Sequence, residues 1–118
     1  MHIVDGYDTW SELDLLTGVI IGEARGESTA GMIGVGITVR TRVQHPCWWG
    51  RNWREVVLAD MQFSCWRDIN AKVIQECHRL KTQLWQTVRG LAQDIYLGNT
   101  IDAIGQPTHY HTSAIYPD

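Results

Sequence analysis

No run of this chain approaches the roughly 18 consecutive apolar residues that a membrane-spanning helix needs, so no span is expected. The start, Met1-His2-Ile3-Val4-Asp5-Gly6, lacks a basic region followed by an apolar one. The sequence therefore presents no signal peptide and points to synthesis in the cytoplasm. Cysteine is scarce: Cys47, Cys65 and Cys77 are odd in number and have no metal-ligand spacing, so buried reduced thiols are expected. Cys77 and His78 are adjacent and cannot both reach one ligand site from a helix. A basic excess is missing too. Ten Lys and Arg against thirteen Asp and Glu give a net charge of −3, which argues against a dedicated nucleic-acid binder. Linkers, repeats and low-complexity stretches are absent. What remains is 118 residues with 44% hydrophobic content, enough for one core and one domain over 1–118.

Helix signals occur at five places, and at one of them they compete with a strand pattern. Thr9-Trp10-Ser11-Glu12 reads as a capping box, opening a helix that continues through Leu13, Leu16, Val19 and Ile20 to Glu23-Ala24, with Gly26 as its end. From Met32 to Val43 two periods compete. Ile33, Val35, Ile37 and Val39 alternate as in a strand, while Met32, Val35, Val39 and Val43 fall on one helical stripe that Pro46 would end. Asn52-Trp53-Arg54-Glu55 is a second capping box, for a short helix to about Ala59. Asp68 or Asn70 can cap a helix covering Val73, Cys77 and Leu80. Thr82 opens the last, with Leu84, Val88, Leu91, Ala92 and Ile95 on one stripe and Gly98-Asn99 closing it. The fold class expected is mostly α, with Thr100 to Asp118 as loop or short extended pieces.

Glu23 is the first candidate for chemistry. At 100° per residue it lies about 20° from Leu16, 40° from Val19 and 60° from Ile20, on what reads as an apolar face. A carboxyl group held against aliphatic side chains loses hydration in its charged form, so its pKa is expected to rise. That is the property of a general acid working near neutral pH. The alternative is a surface glutamate at a helix end.

Three stretches, Gly22-Glu23-Ala24-Arg25-Gly26-Glu27, Met61-Gln62-Phe63-Ser64-Cys65-Trp66 and Pro107-Thr108-His109-Tyr110-His111, occur in an order and at separations that carry a family resemblance. The chain resembles the cell-wall hydrolases typified by the spore cortex-lytic enzyme of bacilli, which include phage and prophage lysis enzymes. The likeness runs from about Leu13 to Pro117, and takes in Val39-Arg40-Thr41-Arg42-Val43 and the tryptophan-rich His45-Pro46-Cys47-Trp48-Trp49-Gly50-Arg51. Arg40 stands where that family usually has Asn, and relatives usually continue past Pro117-Asp118. The resemblance implies a compact lysozyme-like or lytic-transglycosylase-like helical domain, with room for a short β-hairpin, and a helix rather than a strand over Met32 to Val43. It implies cleavage of peptidoglycan between N-acetylmuramic acid and N-acetylglucosamine. The enzyme would then act on the wall after release or export by another factor, as endolysins do.

Glycan cleavage needs a proton on the glycosidic oxygen and stabilisation of an oxocarbenium-like centre. Glu23 is assigned the proton. The resemblance favours a lytic transglycosylase, which needs that carboxyl alone, since the muramic acid 6-hydroxyl captures the centre. A two-carboxylate muramidase needs another about 5–10 Å away; Glu27 is the nearest candidate, Asp60 and Asp68 looser ones, and Glu27 could instead pair with Arg25 or cap the next helix. Gln62, Phe63, Ser64 and Trp66 combine an amide, a hydroxyl and two rings, a mix that suits a saccharide groove, although Phe63 and Trp66 also fit a core at i, i+3. Thr108, Tyr110 and His111 match the family segment that crosses the cleft, with Tyr110 orienting substrate. His109 and His111 have zinc-like spacing but no evident third ligand, so no metal or cofactor is expected. A monomer is expected. The competing class is a non-catalytic glycan- or nucleic-acid-binding module built on Arg40, Arg42, Arg51 and Arg54 interleaved with Trp48, Trp49 and Trp53.

Overall fold

The computed structural model describes residues 7, 9–48, 50–58 and 69–99. Its elements are five helices in the order α1 (Glu12–Ala24), α2 (Thr29–Gln44), α3 (Trp53–Leu58), α4 (Ile69–Leu80) and α5 (Gln83–Tyr96). Among the described residues the one extended pairing is an antiparallel bridge between Cys47 and Gly50. The domain is mostly helical, as a lysozyme-like reading requires.

α1 is the central rod. Leu15, Leu16, Thr17, Gly18, Val19, Ile20 and Ile21 are all buried, two full turns with no solvent side, and α2, α3, α4 and α5 all pack on it. The Thr17 hydroxyl, buried with them, donates to the Leu13 carbonyl at 2.8 Å and so leaves no unpaired donor. The N-cap is Ser11, whose Oγ accepts from the Asp14 amide at 3.0 Å, rather than the Thr9 of the expected capping box. The shift has a cause. Trp10 is committed to the core and its amide donates to the Tyr7 carbonyl, so the chain turns there before helix can begin.

The ambiguous stretch is helix. Ser28 caps α2 through the Gly31 amide, and the helix ends at Gln44 because His45, which precedes Pro46, takes φ −128 and ψ 73. A methyl group at Gly36 would lie 2.4 Å from Ile95 Cδ1, so that glycine lets α5 close on α2. The second capping box forms in part: Asn52 Oδ1 accepts from the Glu55 amide at 2.9 Å, but Glu55 Oε1 takes the Arg51 amide instead of reaching back to Asn52. Thr82 caps α5 through the Trp85 amide, and α5 closes at Gly98 with φ +72.

Tyr7, Trp10 and Trp85 complete the core above the first turn of α1. Trp10 meets Tyr7 edge-on at 4.8 Å and Trp85 at 5.8 Å, and His78 stacks on Trp10 at 3.7 Å. Arg54 reaches across from α3 to the carbonyls of Tyr7 (3.2 Å) and Trp10 (2.5 Å), tying down the segment that leads into α1.

Candidate active site

Glu23 sits in the last turn of α1, one residue before the helix ends. It is exposed, which corrects the expected apolar setting. The helical angles were right, but they describe a helix with one apolar face. α1 is covered all round at its middle, but in its last turn one side is open, and Glu23 faces that side while Ala24 stays buried. Buried Ala24 and Ile21 and half-buried Gly22 fix the backbone that carries the carboxylate. The residue is therefore rigidly rooted and freely accessible.

The helix stops before Glu27. Arg25 is the C-cap, its amide donating to the Ile21 carbonyl, and the Glu27 amide closes a turn on the Ala24 carbonyl at 2.9 Å. Arg25, Gly26, Glu27 and Ser28 are all exposed. The Glu27 side chain lies along the start of α2, where a methyl group at Gly31 would be 2.6 Å from its Cβ and 3.4 Å from its Oε1. A carboxylate there meets the positive end of the α2 dipole. No ion pair joins it to Arg25. The α1–α2 corner thus presents two carboxylates from two backbone segments, one on a helix end and one in the turn beyond it.

Gln62, Phe63, Ser64, Trp66, Thr108, Tyr110 and His111, with Asp60, Asp68, His109, Cys65 and Trp49, lie outside the described residues. Among the described residues no group of three His, Cys, Asp or Glu side chains is placed to hold a metal. Among the described residues the basic, tryptophan-rich stripe is split between different surroundings. Arg54 holds main-chain carbonyls, Trp53 is half-buried against Tyr96 at 5.0 Å, and Trp48 is 72% exposed. Cys77 is buried as expected; Cys47 is exposed, because it lies in the turn after α2 and not in a helix face.

The sequence reading missed an electrostatic cluster at the other end of α1. Asp14 accepts from Arg89 Nε at 2.9 Å and lies 3.5 Å from His78 Nε2. Burial chiefly, and then the charge of Lys81, hold the His78 pKa below its ordinary value, against the opposing pull of Asp14. Tyr96 donates to Glu12 Oε1 at 2.8 Å, and that bond raises its pKa. These partners are 64 to 84 residues apart in the chain, so no local pattern could reveal them.

A family model described as Cell Wall Hydrolase matches residues 26–118. The chain belongs to the cell wall hydrolase family. It is thereby an enzyme acting on the bacterial cell wall, with peptidoglycan as substrate. No curated protein and no solved structure matches the chain. The matched region begins at Gly26, so it contains Glu27 and starts three residues after Glu23. No helix among the described residues is long and apolar enough to cross a membrane.

Proposed function

We propose that this cell wall hydrolase cleaves the glycan strand between N-acetylmuramic acid and N-acetylglucosamine as a lytic transglycosylase, with Glu23 as its one catalytic carboxyl. The observation that carries the reading is the placement of Glu23 at an open corner on the end of a helix that is buried from Leu15 to Ile21. A carboxyl so rooted needs no rearrangement to meet a bound strand, and the strand itself would exclude water from it. Protonated Glu23 gives its proton to the glycosidic oxygen as the C1–O bond breaks. The muramic acid 6-hydroxyl then bonds to C1 and passes its proton back to the Glu23 carboxylate, which closes a 1,6-anhydro ring and restores the acid. Gln62, Phe63, Ser64, Trp66, Thr108, Tyr110 and His111 are the residues proposed to bind the strand.

A second reading keeps Glu27 as catalytic base in a two-carboxylate muramidase. It is favoured by the family match, which includes Glu27 and begins after Glu23. Against it stands the Glu27 side chain, laid along α2 at Gly31. Product analysis separates the two. Glu23→Gln should lower the release of wall fragments at least about 10²-fold with the fold retained, and wild-type fragments should end in 1,6-anhydro-muramic acid. Reducing muramic acid ends, with Glu27→Gln as damaging as Glu23→Gln, would transfer the assignment to the pair. A folded Glu23→Gln protein with most of its rate would remove Glu23 altogether.

A further inference from the structure

A groove of about 590 Å³ runs along α5, lined by Lys81, Gln86, Arg89, Gly90, Gln93 and, from α1, Asp14. That volume is in the range that takes a small ligand. The buried Trp85 ring forms part of its wall, with the Lys81 ammonium 5.1 Å from the ring centroid. The groove is separate from the α1–α2 corner. Asp14 and Glu23 are nine positions apart on α1, about 13 Å along the axis and half a turn round it.

Two of its residues break local rules. Lys81 has φ 51 at the end of α4, the left-handed position that glycine fills as Gly98 at the end of α5. In both places the next amide closes the helix, Thr82 onto the Cys77 carbonyl and Asn99 onto the Asp94 carbonyl. A lysine there is strained where glycine is not. Gly90 is the reverse case. It sits in the interior of α5, where alanine would be more stable, and nothing lies within 4 Å of the position its Cβ would take. Packing among the described residues does not require that glycine. Local rules are broken chiefly at functional positions, and these two border one groove.

The charges give the ligand class. Arg89 spends its Nε–H on Asp14, leaving its two terminal nitrogens without partners among the described residues, and Lys81 has no carboxylate partner among them. Gln86 fixes the rim by donating to the Lys81 carbonyl at 2.8 Å, and Gln93 offers an exposed amide further along. Two cations, an amide and a bare stretch of helix suit an extended peptide bearing carboxylates, which peptidoglycan carries on its glycan as stem peptides. We propose that this groove binds the acidic stem peptide of peptidoglycan and anchors the enzyme to one strand while the α1–α2 corner works on another. The proposal rests on the peptidoglycan substrate and not on which carboxylate is catalytic. Attachment at two faces raises residence on a cross-linked polymer without new contacts at the reacting bond.

The probe is the soluble disaccharide-tetrapeptide monomer, titrated against the full chain, beside uncharged N-acetylglucosamine oligomers and the free tetrapeptide. Binding of the monomer and the tetrapeptide is expected. Affinity should fall at least about tenfold in Lys81→Gly, which removes the cation at a glycine-favouring position, and in Gly90→Leu, which fills the groove floor. Both variants should melt no lower than the wild type, so a loss of binding cannot be a loss of fold. Sedimentation with intact wall sacculi should fall in the same variants. Equal binding by the variants, or binding of the oligomers without the tetrapeptide, overturns the proposal. A wild type that degrades walls but binds no tetrapeptide overturns the groove alone; one that neither binds nor degrades overturns the functional reading as well.

Discussion

Gly36 on α2 faces α5 at a point where a methyl group would lie 2.4 Å from Ile95 Cδ1 and 3.3 Å from Ile20 Cδ1, both buried side chains. Gly90 on α5 faces open space. The same substitution type therefore acts in opposite directions at the two sites. Gly36→Val gains a little helix propensity but forces apart two helices, and overpacking of that kind costs about 1–3 kcal/mol. Gly90→Ala relieves the cost of a helical glycine and should stabilise by up to about 1 kcal/mol. Urea unfolding of the two variants measures both signs, and a stabilised Gly36→Val would mean that α2 and α5 do not meet as closely as described. At this scale the sequence was a partial guide. The apolar stripe of α2 announced a helix, but the close approach at Gly36 involves Ile95, far along the chain, and no local signal marks it. The angular position of Glu23 singled it out as a candidate, but the apolar setting expected from that angle is not what the structure shows, because an angle says nothing of how far along the axis the surrounding helices extend.

The helices themselves are held at their ends by short polar side chains. Ser11, Ser28, Asn52 and Thr82 each accept an amide three residues on, from Asp14, Gly31, Glu55 and Trp85. Removing such an oxygen costs about 1 kcal/mol. Ser11→Ala should show that loss, whereas Thr9→Ala, at an exposed residue outside the helix, should change stability by less than about 0.5 kcal/mol. The reverse order in thermal or urea melts would restore Thr9 as the cap. The caps of α3 and α5 and the stripe of Val88, Ala92 and Ile95 were legible because each is a local signal. The α1 start was displaced by two residues because Tyr7, Trp10 and Arg54 fix the preceding chain, and Arg54 is 44 positions from Trp10. For α2 the β-branched side chains fit both periods, and burial of Ala30, Ile33, Ile37 and Val39 against neighbouring helices decides for helix. The groove along α5 left a mark in the sequence only as an unexplained glycine, since its cations come from a turn and a helix face that local patterns treat as ordinary surface.

The whole molecule closes around the aromatic stack that joins the start of α1 to α4 and α5. His78 of α4 lies on Trp10 at 3.7 Å and edge-on to Trp85 at 5.0 Å, with Asp14 of α1 at 3.5 Å and Lys81 beyond it. Burial and the Lys81 charge lower its pKa in the folded protein and outweigh Asp14, which raises it. The unfolded chain, with His78 near the ordinary value of about 6.5, therefore binds a proton more readily than the folded one. Where the unfolded state holds more protons, stability rises with pH. The contribution is complete above the unfolded pKa, and it is lost as pH falls through about 6.5 toward the lower folded value. Global stability should thus be lower at pH 5.5 than at pH 7.5. His78→Phe keeps a ring on Trp10 and removes the titration, so its stability should change less over the same interval. Urea midpoints of the two proteins at both pH values test this. An equal slope in the two would assign the pH dependence to other groups, and a wild type more stable at pH 5.5 would mean that Asp14 governs His78 after all.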